Sequence, residues 1–280
     1  MLTAVGVFAL MDAQLKLLAE HYPPFQVTSI RGFAALPFVL AHVAMRGRLN
    51  KLWPRRWSWH LLRAVIAITM LAGFIYSVKH LSLADTYAIY MSAPLMISAL
   101  SVPLLKERVT RGQWVAITVG LCGVLLMLRP GARDWATAGG LAAMGSAVCY
   151  ALSAITLRKL ARTETTESLV FSFTVLMAAG SGLLALPTWQ PLRVQDLPWV
   201  VGIGVSGAIA QFLITEAFRR APASVVAPFE YTALLWGVAL DLAVWHVLPS
   251  AITLAGGAIV IGAGLYLIRR ETVLASTVAT

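Results

Sequence analysis

Apolar stretches of near membrane-spanning length follow one another along almost the whole chain. A helix needs roughly 20 predominantly apolar residues to cross the hydrocarbon core of a bilayer. Ten such stretches use nearly all of the 280 residues, so the sequence predicts an all-α membrane protein with ten transmembrane helices. Their bounds are 2–19, 27–45, 60–79, 84–105, 112–129, 137–157, 167–187, 197–217, 222–244 and 250–268.

Composition and charge narrow the classes of function. Only 12% of the residues are charged, against about 25% in an ordinary soluble domain. The net charge of +10 could suggest nucleic-acid binding, but the lysines and arginines lie in short loops, where they orient a membrane protein. We therefore expect the lipid bilayer as a partner, no nucleic acid, and no catalytic domain in water.

The distribution of basic residues predicts the orientation of the spans. With the N-terminus inside, fifteen lysines and arginines fall in inner loops and five at outer ends. Because short cytoplasmic loops carry the excess of positive charge, both termini are predicted to be cytoplasmic, in a bacterial inner membrane. The chain could act as a monomer or as a homodimer.

The hydropathy pattern repeats within the chain. Residues 77–130 overlay residues 217–270 without a gap when one segment is slid along the sequence onto the other. Both segments run as a basic pair, an apolar span, a short turn, a second apolar span and a terminal arginine. Few residues are identical, so the repeat rests on the hydropathy profile. The sequence predicts two five-helix units, 1–130 and 137–270, followed by a short cytoplasmic tail at 271–280.

The odd number of spans in each unit predicts that the second unit is inverted relative to the first. The turn at 106–108 is basic and should be inner, whereas its counterpart at 246–249 has no lysine or arginine and should be outer. Inverted repeats are common in secondary transporters, where the solute site lies near the midplane between the repeats.

Several motifs also resemble a known family. The segments that carry the resemblance are Tyr76-Ser77, Leu81–Asp85, Ala93–Leu95, Leu104–Arg108 and Gly120–Leu126 in the first unit, with Ala223–Pro228 and the glycines from Gly256 to Gly264 in the second. They resemble the EamA repeat of the ten-span drug/metabolite transporter superfamily. The second unit departs from the pattern, because Val247 stands where Glu107 stands in the first.

The resemblance implies a carrier for small metabolites with its path between the two units. It names no solute, because the family handles amino acids, nucleotide-derived compounds, vitamins and cationic drugs.

Ionisable residues within spans indicate function by default, because they are costly in lipid. Glu230 is the leading candidate for binding a substrate cation or a proton. It lies two residues after Pro228, whose ring removes a backbone hydrogen bond from the helix, and it precedes Tyr231. The residue in the equivalent position of the first unit is Tyr90.

Other charged residues in the spans leave two interpretations open. Asp12 and Lys16 share a helix face and could line the cavity or form a structural ion pair near the outer interface. Arg31 could hold a substrate carboxylate, although anchoring at the outer headgroups is favoured. Arg63 also lies inside a span.

Two further acids have structural explanations. Glu216 is expected to pair with Arg219 or Arg220. Asp85 is expected to stabilise the start of the fourth helix, where a carboxylate interacts favourably with the helix dipole.

Aromatic and amide side chains complete the predicted substrate site. Tyrosine hydroxyls need hydrogen-bond partners in lipid, so tyrosines within spans are expected to face the bundle interior. The candidate substrate-binding residues are Glu230, Asp12, Tyr90, Tyr87, Tyr231, Tyr150, Gln211, Trp236, Arg31 and Tyr76. Pro94 and Pro228 are predicted bending points. No spacing predicts a metal site, a cofactor or a nucleophile–base pair.

We interpret the chain as a secondary transporter that works by alternating access. The mixture of acids, basic groups and aromatic residues favours an amino acid or an amino-acid-derived compound, with export preferred and protons as a possible coupling ion through Glu230 or Asp12. Uptake of a larger metabolite, such as S-adenosylmethionine or riboflavin, is an alternative. A membrane-embedded enzyme and a non-transporting membrane partner are alternatives of other classes.

Overall fold

In the computed structural model, the described residues are 1–106, 110–128, 138–247, 251–252, 254–259, 261–263 and 266. Regular structure in these ranges is helical throughout. The α-helices are α1 (Leu2–Ala19), α2 (Pro24–Met45), α3 (Trp57–His80), α4 (Leu83–Tyr90), α5 (Ser92–Leu105), α6 (Arg111–Leu128), α7 (Ala138–Leu160), α8 (Thr166–Ala185), α9 (Leu197–Arg220), α10 (Ala223–Val226) and α11 (Ala233–Trp245). Short 3-10 helices lie at Leu49–Lys51, Leu186–Thr188, Val194–Asp196 and Ala227–Thr232.

Seven helical segments are long and apolar enough to cross a membrane, which makes this a multi-pass membrane protein. They are Leu2–Ala19, Pro24–Met45, Trp57–His80, Asp85–Leu105, Ala138–Leu160, Thr166–Thr188 and Val194–Arg220. The all-α membrane class is confirmed, whereas the count of ten spans stays a prediction. Parts of the predicted tenth span, the tail at 271–280 and Glu107 lie outside the described residues.

Two spans predicted as continuous helices are interrupted. The fourth is divided at Met91 into α4 and α5, and Pro94 lies in the first turn of α5. Proline is tolerated there because N–H groups in the first turn have no hydrogen-bond acceptor within the helix. The ninth begins as the single turn of α10, tightens into the 3-10 helix Ala227–Thr232 and continues as α11. Pro228 lies in that 3-10 segment, consistent with its inability to donate a helical hydrogen bond.

The register that overlays 77–130 on 217–270 reappears in the backbone. In that register α3 and α9 begin and end at equivalent positions, because Trp57 corresponds to Leu197 and His80 to Arg220. Lys106 and His246 are equivalent in the same way. They cap α5 and α11 in the left-handed conformation, with φ of 56° and 55°. Equivalent helices of the two units therefore share their boundaries as well as their hydropathy.

Contacts at the ends of the bundle show that α1 and α7 run in opposite directions. At one end, called here the Met1 end, Ala4 of α1 belongs to the same hydrophobic cluster as Leu157 of α7 and Phe218 of α9. At the other, called the Tyr22 end, the Tyr22 hydroxyl after α1 donates a hydrogen bond of 2.6 Å to Asp196 before α9. α1 thus leaves the Met1 end, whereas its counterpart α7 finishes there.

Helices of the two units pack directly on each other, since α2 lies against α8 and α9, α3 against α7, and α1 against α9. Gly32 of α2 permits one of these contacts, because a Cβ on it would lie 2.6 Å from the Cβ of Ala178 in α8. Gly204 of α9 permits another, because its Cβ would collide with the carbonyl of Ala34. Small residues allow such close approach between membrane helices, and the cavity described next lies among the same helices.

Candidate functional site

A central cavity of about 130 Å³ lies between helices of both units. A single water molecule requires at least roughly 10–15 Å³ of such space, so the cavity can hold several waters or part of a small solute. Met1, Leu157 and Phe218 belong to its lining, so it extends from the middle of the bundle to the Met1 end.

Two carboxylates in the lining each accept a hydrogen bond from a tyrosine. The Tyr87 hydroxyl donates to Asp12 at 2.7 Å, and the Tyr150 hydroxyl donates to Glu230 at 2.7 Å. Glu230 is buried, whereas Asp12 is half-buried. Each acid therefore has one fixed neutral donor, and no ion pair is formed by either acid within the described residues.

A row of aromatic rings connects the two acid–tyrosine pairs. The Phe74 ring lies 6.0 Å from Tyr87 and 5.5 Å from Tyr90, and Tyr90 lies 5.3 Å from Tyr150, measured between ring centroids. Tyr90 thus joins the row between the two pairs. Aromatic faces attract cations and pack well against flat apolar groups.

The cavity also receives two buried arginines. Arg31 of α2 places its Nε 3.1 Å from the sulfur of Met11 and its Nη1 3.1 Å from that of Met177. Arg63 of α3 lies over the ring of Phe173, with the guanidinium carbon 4.4 Å from the centroid. The structure does not support headgroup anchoring by Arg31, because the side chain turns into the bundle.

The structure brings seven of the ten predicted site residues to this cavity and leaves three elsewhere. The seven are Asp12, Arg31, Tyr87, Tyr90, Tyr150, Gln211 and Glu230. The other three do not line it: Tyr76 is exposed and stacks on His80 at 4.4 Å, Trp236 is half exposed against Gly6, and Tyr231 is buried with its hydroxyl beside Gly120.

Sequence reasoning assigned no role to Arg63 or Phe173, although both line the cavity. For Arg63 the signal was present, because a charge within an apolar span marks a functional candidate. For Phe173 nothing distinguishes it in sequence from the other phenylalanines of the apolar spans.

Lys16 does not pair with Asp12. Its Nζ lies 3.5 Å from Asp241 and 4.4 Å from the centroid of the Trp245 ring. The backbone N–H of Leu83 also donates to Asp241, at 3.4 Å. We call these four residues the Lys16 cluster; it ties α1, α4 and α11 together near the Tyr22 end and contributes nothing to the cavity lining.

Two acids have structural partners of the predicted kind. Glu216 accepts a hydrogen bond from Arg220 Nε at 2.9 Å. Asp85 lies in the first turn of α4, where its backbone N–H donates to Ser82 at 3.0 Å and its carboxylate accepts from the Ser82 hydroxyl at 2.7 Å. The Ser82 side chain thus caps the start of α4, and neither acid lines the central cavity. Within the described ranges, no group of three His, Cys, Asp or Glu side chains could hold a metal ion.

Comparison with known proteins identifies a family and several relatives. The model of the EamA-like transporter family matches residues 1–129 and 137–270. A riboflavin transporter of Vibrio cholerae is 28% identical over 97% of this chain and 92% of its own length. A pseudopaline exporter of Pseudomonas aeruginosa is 25% identical over 94% and 93%. An S-adenosylmethionine uptake transporter of Rickettsia bellii is 26% identical over 93% and 89%.

A solved crystal structure shares the fold. It superposes with a TM-score of 0.74 over 95% of this chain and 96% of its own chain, at 22% sequence identity.

Proposed function

Because the chain belongs to the EamA-like transporter family, and so is a membrane transporter rather than an enzyme, we propose that it carries an amino acid or an amino-acid-derived compound across the bacterial inner membrane. One observation carries this proposal: a single cavity holds two carboxylates, two guanidinium groups and a row of aromatic rings. Groups of both signs suit a solute that itself bears both an ammonium and a carboxylate, because opposite charges must be paired in a low-dielectric site.

The two acids would bind the cationic group of the solute. Asp12 and Glu230 each accept one phenolic hydrogen bond, and a carboxylate has about four acceptor positions. An ammonium group could therefore be bound without breaking either tyrosine contact. Tyr87 and Tyr150 would hold the carboxylates in place as the solute arrives.

The asymmetry of the two ends supports alternating access. The cavity extends to the Met1 end, and the Lys16 cluster links three helices near the Tyr22 end. With both termini in the cytoplasm, as the positive-inside rule favours, this conformation is open to the cytoplasm. Export would begin with solute entry from this side, followed by separation of Lys16 from Asp241.

We assign the two moving units to 1–130 and 137–270, with 271–280 as a cytoplasmic tail. Interruptions at Met91 and in Ala227–Thr232 are suitable places for bending, with Pro94 and Pro228 as the predicted hinge residues.

Proton coupling would use the same acids. A proton and a solute ammonium would compete for Glu230 or Asp12, so that protons entering from outside drive solute out. An inward proton gradient imposed across proteoliposomes should accelerate the outward movement of solute against the solute's own concentration gradient. A proton ionophore should abolish that acceleration.

Uptake of a larger metabolite is the second candidate. The aromatic row of Phe74, Tyr87, Tyr90 and Tyr150 would stack on a planar ring system, and relatives include carriers named for riboflavin and for S-adenosylmethionine uptake. Rescue of an auxotroph by the expressed chain would favour uptake, whereas resistance to an accumulated solute would favour export.

The direct test is counterflow in proteoliposomes loaded with a mixed pool of labelled amino acids. Saturable exchange of one amino acid, lost in Glu230→Gln, would support the proposal. Exchange of riboflavin or S-adenosylmethionine without exchange of any amino acid would shift the function to the second candidate.

A further inference from the structure

The guanidinium groups of Arg31 and Arg63 both lie against the ring of Phe173 in the cavity wall. Their central carbons are 6.0 Å and 4.4 Å from the ring centroid. Arg31 is 6% exposed and Arg63 is 2% exposed. These two buried cations therefore share one wall of the cavity.

Few of their hydrogen-bond donors have strong acceptors. A guanidinium presents five N–H donors. Arg31 is met by the thioether sulfurs of Met11 and Met177, which are weak acceptors. Arg63 donates from Nη1 to the carbonyl oxygen of Leu169 at 3.2 Å, and its buried Nε has no partner within the described residues.

Nearby acids do not neutralise this pair by direct contact. The carboxylate of Glu164 lies 3.8 Å from Nε2 of His60 and accepts hydrogen bonds from the backbone N–H groups of Arg55 and Arg56, both at 2.9 Å. Asp12 interacts electrostatically with Arg31 but lies beyond ion-pair distance. Because an unpaired buried charge is costly, the arrangement favours an anion that enters from the cavity.

We propose that Arg31 and Arg63 form the anion-binding pole of the cavity and hold the carboxylate of the transported solute. This inference rests on the proposed function for the solute's ammonium, which Asp12 and Glu230 receive. A planar guanidinium matches a carboxylate through two parallel hydrogen bonds. The Phe173 ring supports both cations without offering a competing hydrogen-bond acceptor.

The test compares ligands with and without the carboxylate, at a pH at which the amines of phenylalanine and its amide are both protonated. L-phenylalanine is paired with L-phenylalaninamide, and 3-phenylpropanoate with 3-phenylpropanamide, which lacks both charges. Binding to the purified full chain is measured by the ligand-dependent shift in thermal unfolding and by direct titration. We expect each carboxylate to bind the wild type roughly 10- to 100-fold more tightly than its amide, the range of a charged hydrogen bond.

Substitutions of Arg31 and Arg63 then test whether these two residues cause the preference for the carboxylate over the amide. Arg63→Gln and Arg31→Gln should each reduce the carboxylate-to-amide ratio toward one, and Arg63→Lys should restore part of it by returning the charge without the planar fork. Arg220→Gln is the matched control, because Arg220 is exposed at the end of α9 and pairs with Glu216. A merely structural role for Arg63 would lower stability but leave the ratio unchanged.

The outcomes separate this inference from the proposed function. Arg-dependent binding of 3-phenylpropanoate without binding of phenylalanine would support the pole and refute the amino-acid solute. Equal binding of phenylalanine and its amide would refute the pole while leaving amino-acid transport in place. A folded wild type that binds neither carboxylate would also overturn the pole.

Discussion

The fourth and ninth spans are both interrupted in their helical backbone, but they differ in the side chains that they supply to the cavity. In the first unit α4 supplies a tyrosine, Tyr87, to a carboxylate on α1, Asp12. In the second unit the interrupted ninth span supplies the carboxylate, Glu230, to a tyrosine on α7, Tyr150. Since α7 is the counterpart of α1, the donor and the acceptor have exchanged places between the two units.

This exchange shows how a repeated fold can build an asymmetric site. Tyr90 and Glu230 are equivalent in the register that overlays the two units, yet one is a phenol within an aromatic row and the other is a buried carboxylate. The repeat fixes where the helices break, and individual substitutions decide which break carries charge. Substitutions in the two acid–tyrosine pairs test whether the pairs are also equivalent in function.

Glu230→Gln should produce the largest loss. The buried carboxylate is expected to bind the solute ammonium directly, and a hydrogen bond between charged groups contributes about 1.5–3 kcal/mol. Solute affinity in counterflow should fall roughly 10- to 100-fold. Glu216→Gln is the matched control, since Glu216 pairs with Arg220 away from the cavity and should keep wild-type affinity. Unchanged affinity in Glu230→Gln would remove this residue from the site.

Asp12→Asn should weaken affinity less than Glu230→Gln does. Asp12 is half-buried, so its attraction for a cation is screened more by water than that of the buried Glu230. We expect a loss of about five- to tenfold, from a contribution of about 1 kcal/mol or slightly more. If both variants lost the same affinity in the same titration, the difference in burial between the two acids would have no functional meaning.

Hydropathy is sufficient to predict the membrane class, because that class depends on average composition over about 20 residues. The acids Asp12 and Glu230 are also predictable, since a charge in an apolar span is rare and costly. The choice among tyrosines is not. Tyr76 and Tyr87 both lie in spans, and only the packing of α3 and α4 turns Tyr87 to the cavity and Tyr76 to the surface.

Long-range partners are beyond the reach of sequence patterns. Helical spacing places Lys16 beside Asp12, but the partner that Lys16 contacts, Asp241, belongs to α11 in the other unit. The interruption at Met91 is indicated only approximately, by the predicted bending point Pro94 three residues later.

Tyr87→Phe and Tyr150→Phe test whether the two phenols support their acids equally. Each substitution removes one hydrogen bond of 2.7 Å to a carboxylate and keeps the ring in the aromatic row. A net contribution of about 0.5–1.5 kcal/mol predicts a two- to tenfold loss of affinity, measured by competition in counterflow. Tyr76→Phe should have no effect, because that side chain is exposed on the surface. An equal loss in all three variants would indicate a general effect on folding.

Lys16→Met should have the smallest effect on solute affinity. It should instead change the side of the membrane from which the cavity can be reached. The Lys16 cluster joins α1, α4 and α11 near the Tyr22 end through one ion pair of 3.5 Å. A partly buried pair of this kind contributes about 1 kcal/mol, so its loss should favour the conformation open at the Tyr22 end by about fivefold.

Access from each side can be read from a cysteine at the cavity wall. Met91→Cys, with Cys122 and Cys149 replaced by alanine, would be labelled by an impermeant thiol reagent applied to either side of the membrane. We expect faster labelling from the Tyr22 side in Lys16→Met. Lys159→Met is the matched control, because Lys159 lies 4.1 Å above the Trp59 ring near the Met1 end, and losing that contact should not favour opening at the Tyr22 end. Equal labelling in the two lysine variants would mean that the Lys16 cluster does not close the cavity.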